Sequence, residues 1–179
     1  MSQNIGIDSN TLTLLIEAVD PEYDPSTDSS QLAEEKKAIL RAFLYKRILY
    51  HVCPTVETEY KKIKNNVKYQ AHVSFCNVLL LEGPWELDAS SIKQRVQALS
   101  CYHSGQKDCY ILAEAEEMHL DALLTNDNAF LKHLGPISKS MMVVKPSQFW
   151  ASLDVPKGAA LGWRPSESNP LLQKTWWLW

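Results

Sequence analysis

DCYILAEAEEMHLDALLTNDNAF, residues 108–130, carries the pattern that decides the fold. Its first half repeats apolar residues at helical spacing, with Ile111, Leu112, Ala115 and Met118 on an inner face. Ala122–Leu124 then reads as a short buried strand, and the turn Thr125-Asn126-Asp127-Asn128 leads into one or two further helical turns over residues 127–134. A helix, a brief apolar strand and an acid just beyond it make up part of a parallel α/β unit.

The same alternation extends in both directions. Toward the N-terminus, Ala89–Leu99 is expected to be helical, and Ser104-Gly105-Gln106-Lys107-Asp108 opens the next helix. Residues 49–53 fit a strand, followed by Pro54-Thr55 and a helix bearing Glu57 and Glu59, where proline and early acids suit a helix start. Residues 66–82 allow helix or strand; helix is favoured, with Pro84 as its break. At the start, Asn4–Ile7 reads as a strand ending on Asp8, and Ser9 is the expected N-cap of a helix with Leu12, Leu15, Ile16 and Val19 on one face. The proline- and acid-rich residues 20–30 form a loop, and Leu32, Ile39, Leu40, Phe43, Leu44 and Ile48 mark a second helix. Toward the C-terminus, residues 141–144 give a last strand and residues 146–153 a last helix. Strands separated by helices predict an α/β domain, a three-layer α/β/α sandwich around a central parallel sheet.

Composition is compatible with that reading. The 179 residues are 45% hydrophobic and 22% charged, close to the averages of globular domains, so disorder and coiled coil are excluded. None of the six glycines falls into a phosphate-cradling spacing, which removes the common nucleotide-binding loops. The net charge of −3 and pI near 5.9 mean that nucleic acid would have to be held by a local patch or by metal ions. Four cysteines, Cys53, Cys76, Cys101 and Cys109, form no C-x-x-C pair, pointing to a reducing compartment. Without a basic, apolar leader or an uncharged stretch of about 18 residues, a cytoplasmic protein with no membrane span is expected. Residues 1–155 form the expected domain. Residues 156–179, rich in proline and tryptophan, read as an extension packed on the domain or in an interface such as a homodimer's.

Four acids stand where a parallel sheet places its functional crevice: Asp8 after the first strand, Glu59 after the second, Asp108 at the opening of a helix, and Asp127 after the third strand. Carboxylates about 4 Å apart repel by roughly 4 kcal/mol per pair at an effective dielectric of 20 unless a cation bridges them. Oxygen donors favour Mg²⁺ or Mn²⁺.

With those residues in view, IGIDSN, CPTVETEY, DCYILAEAEEMHLDALLTNDNAF and MMVVKPSQFW together resemble the PIN domain family, which includes VapC-type toxins. The resemblance spans residues 4–153 and is most specific over residues 108–130. It implies a metal-dependent ribonuclease that hydrolyses RNA phosphodiester bonds through a metal-activated water. It also implies Asp8, Glu59, Asp108 and Asp127 as catalytic metal ligands, and an antitoxin protein as partner if the chain is a toxin. A catalytically inactive RNA- or protein-binding module is the alternative.

Glu57 and Glu59 lie about 200° apart on a helix, so only one can face the site. Glu59, followed by Tyr60, is chosen, with Glu57 as the fallback. Asn10 and Asn126 are candidate neutral partners, and Thr125 a candidate brace for the Asp127 loop. Glu114, Glu116 and Glu117 read as an outward, solvated face, and Lys61, Lys62, Lys64 and Lys68 as a solvated surface near Glu59. Cys101, His103, Cys109 and His119 have zinc-ligand chemistry without a chelating spacing, so no zinc site is expected from them.

Overall fold

The computed structural model describes residues 3–79 and 86–179. The chain opens with β1 (Asn4–Ile7), α1 (Ser9–Ala18) and α2 (Ser30–Lys46), followed by β2 (Leu49–Val52), α3 (Pro54–Tyr60) and α4 (Asn66–Leu79). Next come α5 (Ala89–Leu99), α6 (Gln106–Glu117), β3 (Ala122–Leu124), α7 (Asn128–His133), β4 (Met142–Val144) and α8 (Pro146–Ser152). The expected break at Pro84 and the continuation to residue 82 lie outside the described residues, as do Met1 and Ser2. Ser9 is not the cap of α1: Asp8 is, accepting the Thr11 N–H at 2.7 Å, so the residue read as a strand-end acid also starts the helix.

The strands form one parallel sheet in the order β2-β1-β3-β4. Ile5, Ile7, Tyr50, Ala122, Leu123 and Leu124 are buried, because helices cover both faces. The step from β1 to β2 runs one way across the sheet and the steps from β2 to β3 and β4 run the other. Right-handed crossovers therefore place α1 and α2 on one face and the α3-to-α6 connection on the opposite one. The α2 contacts with α1 and α8 and the α6 contacts with α3 and α5 follow this division, while α1 also meets α3 and α4. The chain is thus a three-layer α/β/α sandwich. Its strand order reverses between β1 and β3, where Ile7 pairs with Leu124 and the Asp8 N–H donates to the Leu124 carbonyl at 3.2 Å. Such a reversal opens a crevice beyond the strand ends.

Two short helices that begin with proline are each held by a glutamate from another helix. Glu114 of α6 accepts from the Thr55 N–H and hydroxyl at the start of α3, and Glu35 of α2 accepts both donors of Ser147 at the start of α8, all at 2.8–2.9 Å. The expectation that Glu114 faces solvent is therefore corrected: it is 7% exposed. Glu116 is also engaged, in a bidentate pair with Arg95. Three consecutive-looking acids on a helix cannot show by spacing alone that a neighbouring helix start needs one of them.

Residues 156–179 run back over α2 and α8. The Trp163 N–H donates to the Leu44 carbonyl at 2.8 Å, and Arg41 donates to the Trp177 carbonyl at 2.8 Å. Trp177 is buried with its indole N–H on the Leu171 carbonyl, while Trp179 packs edge-on against Trp150.

Candidate active site

The site grows from the ends of β1 and β3. Asp8 is 4% exposed, with Oδ1 on the Thr11 N–H and Oδ2 accepting from the Thr125 hydroxyl at 2.5 Å. Burial pushes its carboxyl above the ordinary value; the hydrogen bonds from Thr125 and Thr11 oppose this, and the charge of Asp108 adds to it. Thr125, fully buried, accepts in turn from the Asp127 N–H at 3.0 Å. One hydroxyl thus joins the two strand ends, giving its proton to Asp8 and its lone pair to the Asp127 backbone. Asp127 caps α7, its Oδ1 accepting from the Ala129 and Phe130 N–H groups at 2.7 and 3.0 Å.

Glu59 comes from the last turn of α3. It accepts from the Ser9 hydroxyl, next to Asp8, and pairs with Lys107 at 2.7 Å, next to Asp108. Burial pushes the Glu59 carboxyl up, yet the Lys107 and Ser9 hydrogen bonds and the Lys107 charge outweigh it and hold the group below its ordinary value. Glu57 points elsewhere and pairs with Lys61 on the surface. Beside Glu59 a hollow of about 280 Å³ is lined by Ser9, Asn10, Tyr60 and Lys68, with the buried His72 at its wall. Burial lowers the His72 pKa, and its Nδ1 meets the Lys68 carbonyl at 2.8 Å. Asn126 and Asn10 share a neighbouring hollow.

Asp108, in the first turn of α6, has Oδ2 at 2.6 Å from His103 Nε2. Gly105, the cap residue of α6, leaves room for that contact: a Cβ there would fall 2.5 Å from Asp108 Oδ2 and 2.6 Å from His103 Nε2.

The four sequence-selected acids therefore lie along one side of the strand ends, linked through Thr125, Ser9 and Lys107. They are not closed into a single cluster. Among the described residues, no three His, Cys, Asp or Glu side chains stand close enough to hold one ion, and this includes Cys101, His103, Cys109 and His119. The all-oxygen donor chemistry suits Mg²⁺ or Mn²⁺, while Lys107 and His103 already engage Glu59 and Asp108. Sequence reasoning assigned Lys107, His103 and Ser9 other roles and not that of partners to these acids.

No protein-family model matches the chain, and no curated protein matches it significantly. Among solved structures, that of FitAcB from Neisseria gonorrhoeae aligns with 79% of this chain and 97% of its own, at a TM-score of 0.46 and 16% identity. Among the described residues, no helix is long and apolar enough to cross a membrane.

Proposed function

We propose that the chain is a divalent-cation-dependent ribonuclease hydrolysing RNA phosphodiester bonds, as its sequence resemblance to PIN domains implies, with Asp8, Glu59, Asp108 and Asp127 as ligands for Mg²⁺ or Mn²⁺. The observation that supports this most is the Thr125 bridge, which ties Asp8 to the Asp127 loop at the point where the strand order reverses. When bound, such an ion activates water for attack at phosphorus and offsets charge on the leaving oxygen. The chain's own residues do the positioning. Thr125 orients Asp8, Ser9 orients Glu59, and the start of α7 fixes one oxygen of Asp127 while leaving the other uncommitted by that cap. Lys107 and Lys68, near Glu59, supply positive charge for RNA phosphates.

In this reading RNA is the substrate, and an antitoxin protein is the partner if the chain acts as a toxin. The test is cleavage of a panel of structured RNAs with Mn²⁺, with Mg²⁺ and with EDTA. Cleavage is expected only with the ions, and Asp8→Asn and Asp127→Asn are each expected to abolish it. Equal cleavage in EDTA, or wild-type cleavage by either variant, would overturn the assignment.

One observation favours a second reading, a module that binds RNA or protein without cutting: Glu59 and Asp108 are engaged by Lys107 and His103 rather than gathered into an ion cage. RNA binding by gel shift, without cleavage under any ion, is the result that reading expects.

A further inference from the structure

His103, in the loop before α6, and His133, the last residue of α7, share an Nδ1···Nδ1 hydrogen bond of 3.4 Å. The rings lie 5.7 Å apart between centroids and are inclined by 52°. His103 Nε2 meets the Asp108 carboxylate at 2.6 Å. A carboxylate only accepts, so in neutral His103 the proton sits on Nε2 and the Nδ1 lone pair is turned toward His133.

Two imidazole nitrogens on one zinc-type ion, each about 2.0–2.1 Å away at a tetrahedral angle, are roughly 3.3–3.4 Å from each other. The 3.4 Å spacing of this hydrogen-bonded pair falls in that ligand-to-ligand range, so an ion could take the place of the shared proton. A carboxylate behind a metal-binding histidine is also the outer-shell arrangement that fixes the tautomer and the ring orientation. The scaffold keeps this arrangement in place in two ways. Gly105 carries no Cβ where one would collide with both His103 Nε2 and Asp108 Oδ2. The Cys109 thiol donates to the His103 carbonyl at 3.5 Å, and the His103 side chain is only 9% exposed.

We propose that His103 and His133 form a two-imidazole site for a borderline transition ion, Zn²⁺ above all, through their Nδ1 atoms, with Asp108 as the outer-shell partner of His103. Imidazole selects such ions over Mg²⁺. The remaining coordination positions belong to solvent or an incoming ligand, because among the described residues no third group completes the set. The site is chemically distinct from the oxygen-donor set and does not depend on the nuclease reading. It does share Asp108, so Zn²⁺ would hold that carboxylate to His103.

The test is calorimetric titration of the full chain with ZnCl₂, repeated in the presence of excess MgCl₂. One Zn²⁺ per chain is expected, undisturbed by a tenfold excess of Mg²⁺. Loss of an outer-shell partner costs on the order of 10–100-fold in affinity, and His103→Ala and His133→Ala, which remove a ligand outright, should each weaken binding at least that much. His119→Ala and Cys101→Ser should leave it unchanged. His133 is on the surface, so His133→Ala decides the matter even if the His103 variant does not fold. Absence of Zn²⁺ uptake, uptake unchanged in His133→Ala, loss of uptake in Cys101→Ser, or displacement by Mg²⁺ would each overturn the proposal.

Discussion

Glu114 and Thr55, 59 residues apart in the chain, are joined by two hydrogen bonds, the Thr55 N–H and hydroxyl both donating to the Glu114 carboxylate at 2.9 and 2.8 Å. This pairing joins α6, which carries Asp108, to α3, which carries Glu59. Burial raises the Glu114 pKa, and the Thr55 hydrogen bonds oppose the rise. Glu114→Ala leaves a helix-start N–H and a hydroxyl without their partner, a loss worth about 1–3 kcal/mol. Urea melts should show a destabilisation of that order. Adding Thr55→Val should cost less than its effect in the wild-type background, because the hydroxyl no longer has a partner to lose; full additivity of the two would contradict the coupling.

The two carboxyls that flank the crevice titrate in opposite senses. Asp8 is raised, chiefly by burial, so the folded chain holds its proton more tightly than the unfolded chain and stability falls as pH rises from the ordinary carboxylate range through the folded value. Glu59 is lowered, so its contribution is present above the ordinary value and fades as pH falls through the folded one. Asp8→Asn removes only the first effect. Its melting temperature, compared with that of wild type without added metal, should gain on wild type as pH is taken from 4 to 8. A variant that loses ground to wild type over that interval would mean that the Asp8 shift has the other sign.

Periodicity showed the sheet because strands β1 and β3 are short apolar runs bounded by acids and turns, and Asp8 and Asp127 were visible as acids that follow them. Which partners Glu57 and Glu59 meet, Lys61 for the one and Ser9 and Lys107 for the other, depends on how α3 lies on the sheet and was not legible from spacing. The pairing of His103 with Asp108 was not legible for a related reason. His103 lies outside any regular element, five residues before its carboxylate, and its contact exists because Gly105 permits it. Glu114 misled because spacing describes a helix and not what packs against it.

Gly105→Ala is expected to separate His103 from Asp108. The added methyl would sit 2.5 Å and 2.6 Å from their polar atoms, and both side chains would have to move. Overpacking of this kind costs about 1–3 kcal/mol. The check is a thermal melt together with the His103 ring resonances in NMR spectra, which should change environment; unchanged ring signals would show that the contact survives the substitution.

Trp177 anchors the C-terminal stretch, buried at 1% exposure, with its indole N–H donating to the Leu171 carbonyl at 3.1 Å and its own carbonyl held by Arg41. Trp177→Ala opens a cavity over α2 and is expected to destabilise by about 3–5 kcal/mol. Truncation after Gly162 should do at least as much, since it also removes the Trp179 ring from Trp150. RNA cleavage per folded molecule should be unchanged in both. Loss of RNA binding with an unchanged melting temperature would instead assign these rings to base stacking.

Lys107 and a divalent ion compete for the same carboxylate if the proposed ribonuclease reading holds, because Glu59 Oε1 is already paired with the Lys107 ammonium at 2.7 Å. The Lys107 side chain is 68% exposed, so its removal should change the melting temperature of the chain little in EDTA. With Mn²⁺ present the two proteins should diverge. Ligands that bind only the folded state raise its stability by mass action, and a site freed of its internal competitor binds at lower ion concentration. Lys107→Ala should therefore reach its full Mn²⁺-dependent rise in melting temperature at a lower Mn²⁺ concentration than wild type, while Glu59→Gln should show a weakened rise and Glu57→Gln an ordinary one. Identical Mn²⁺ titrations for Lys107→Ala and wild type would show that Glu59 is no ion ligand and leave Lys107 as its permanent partner.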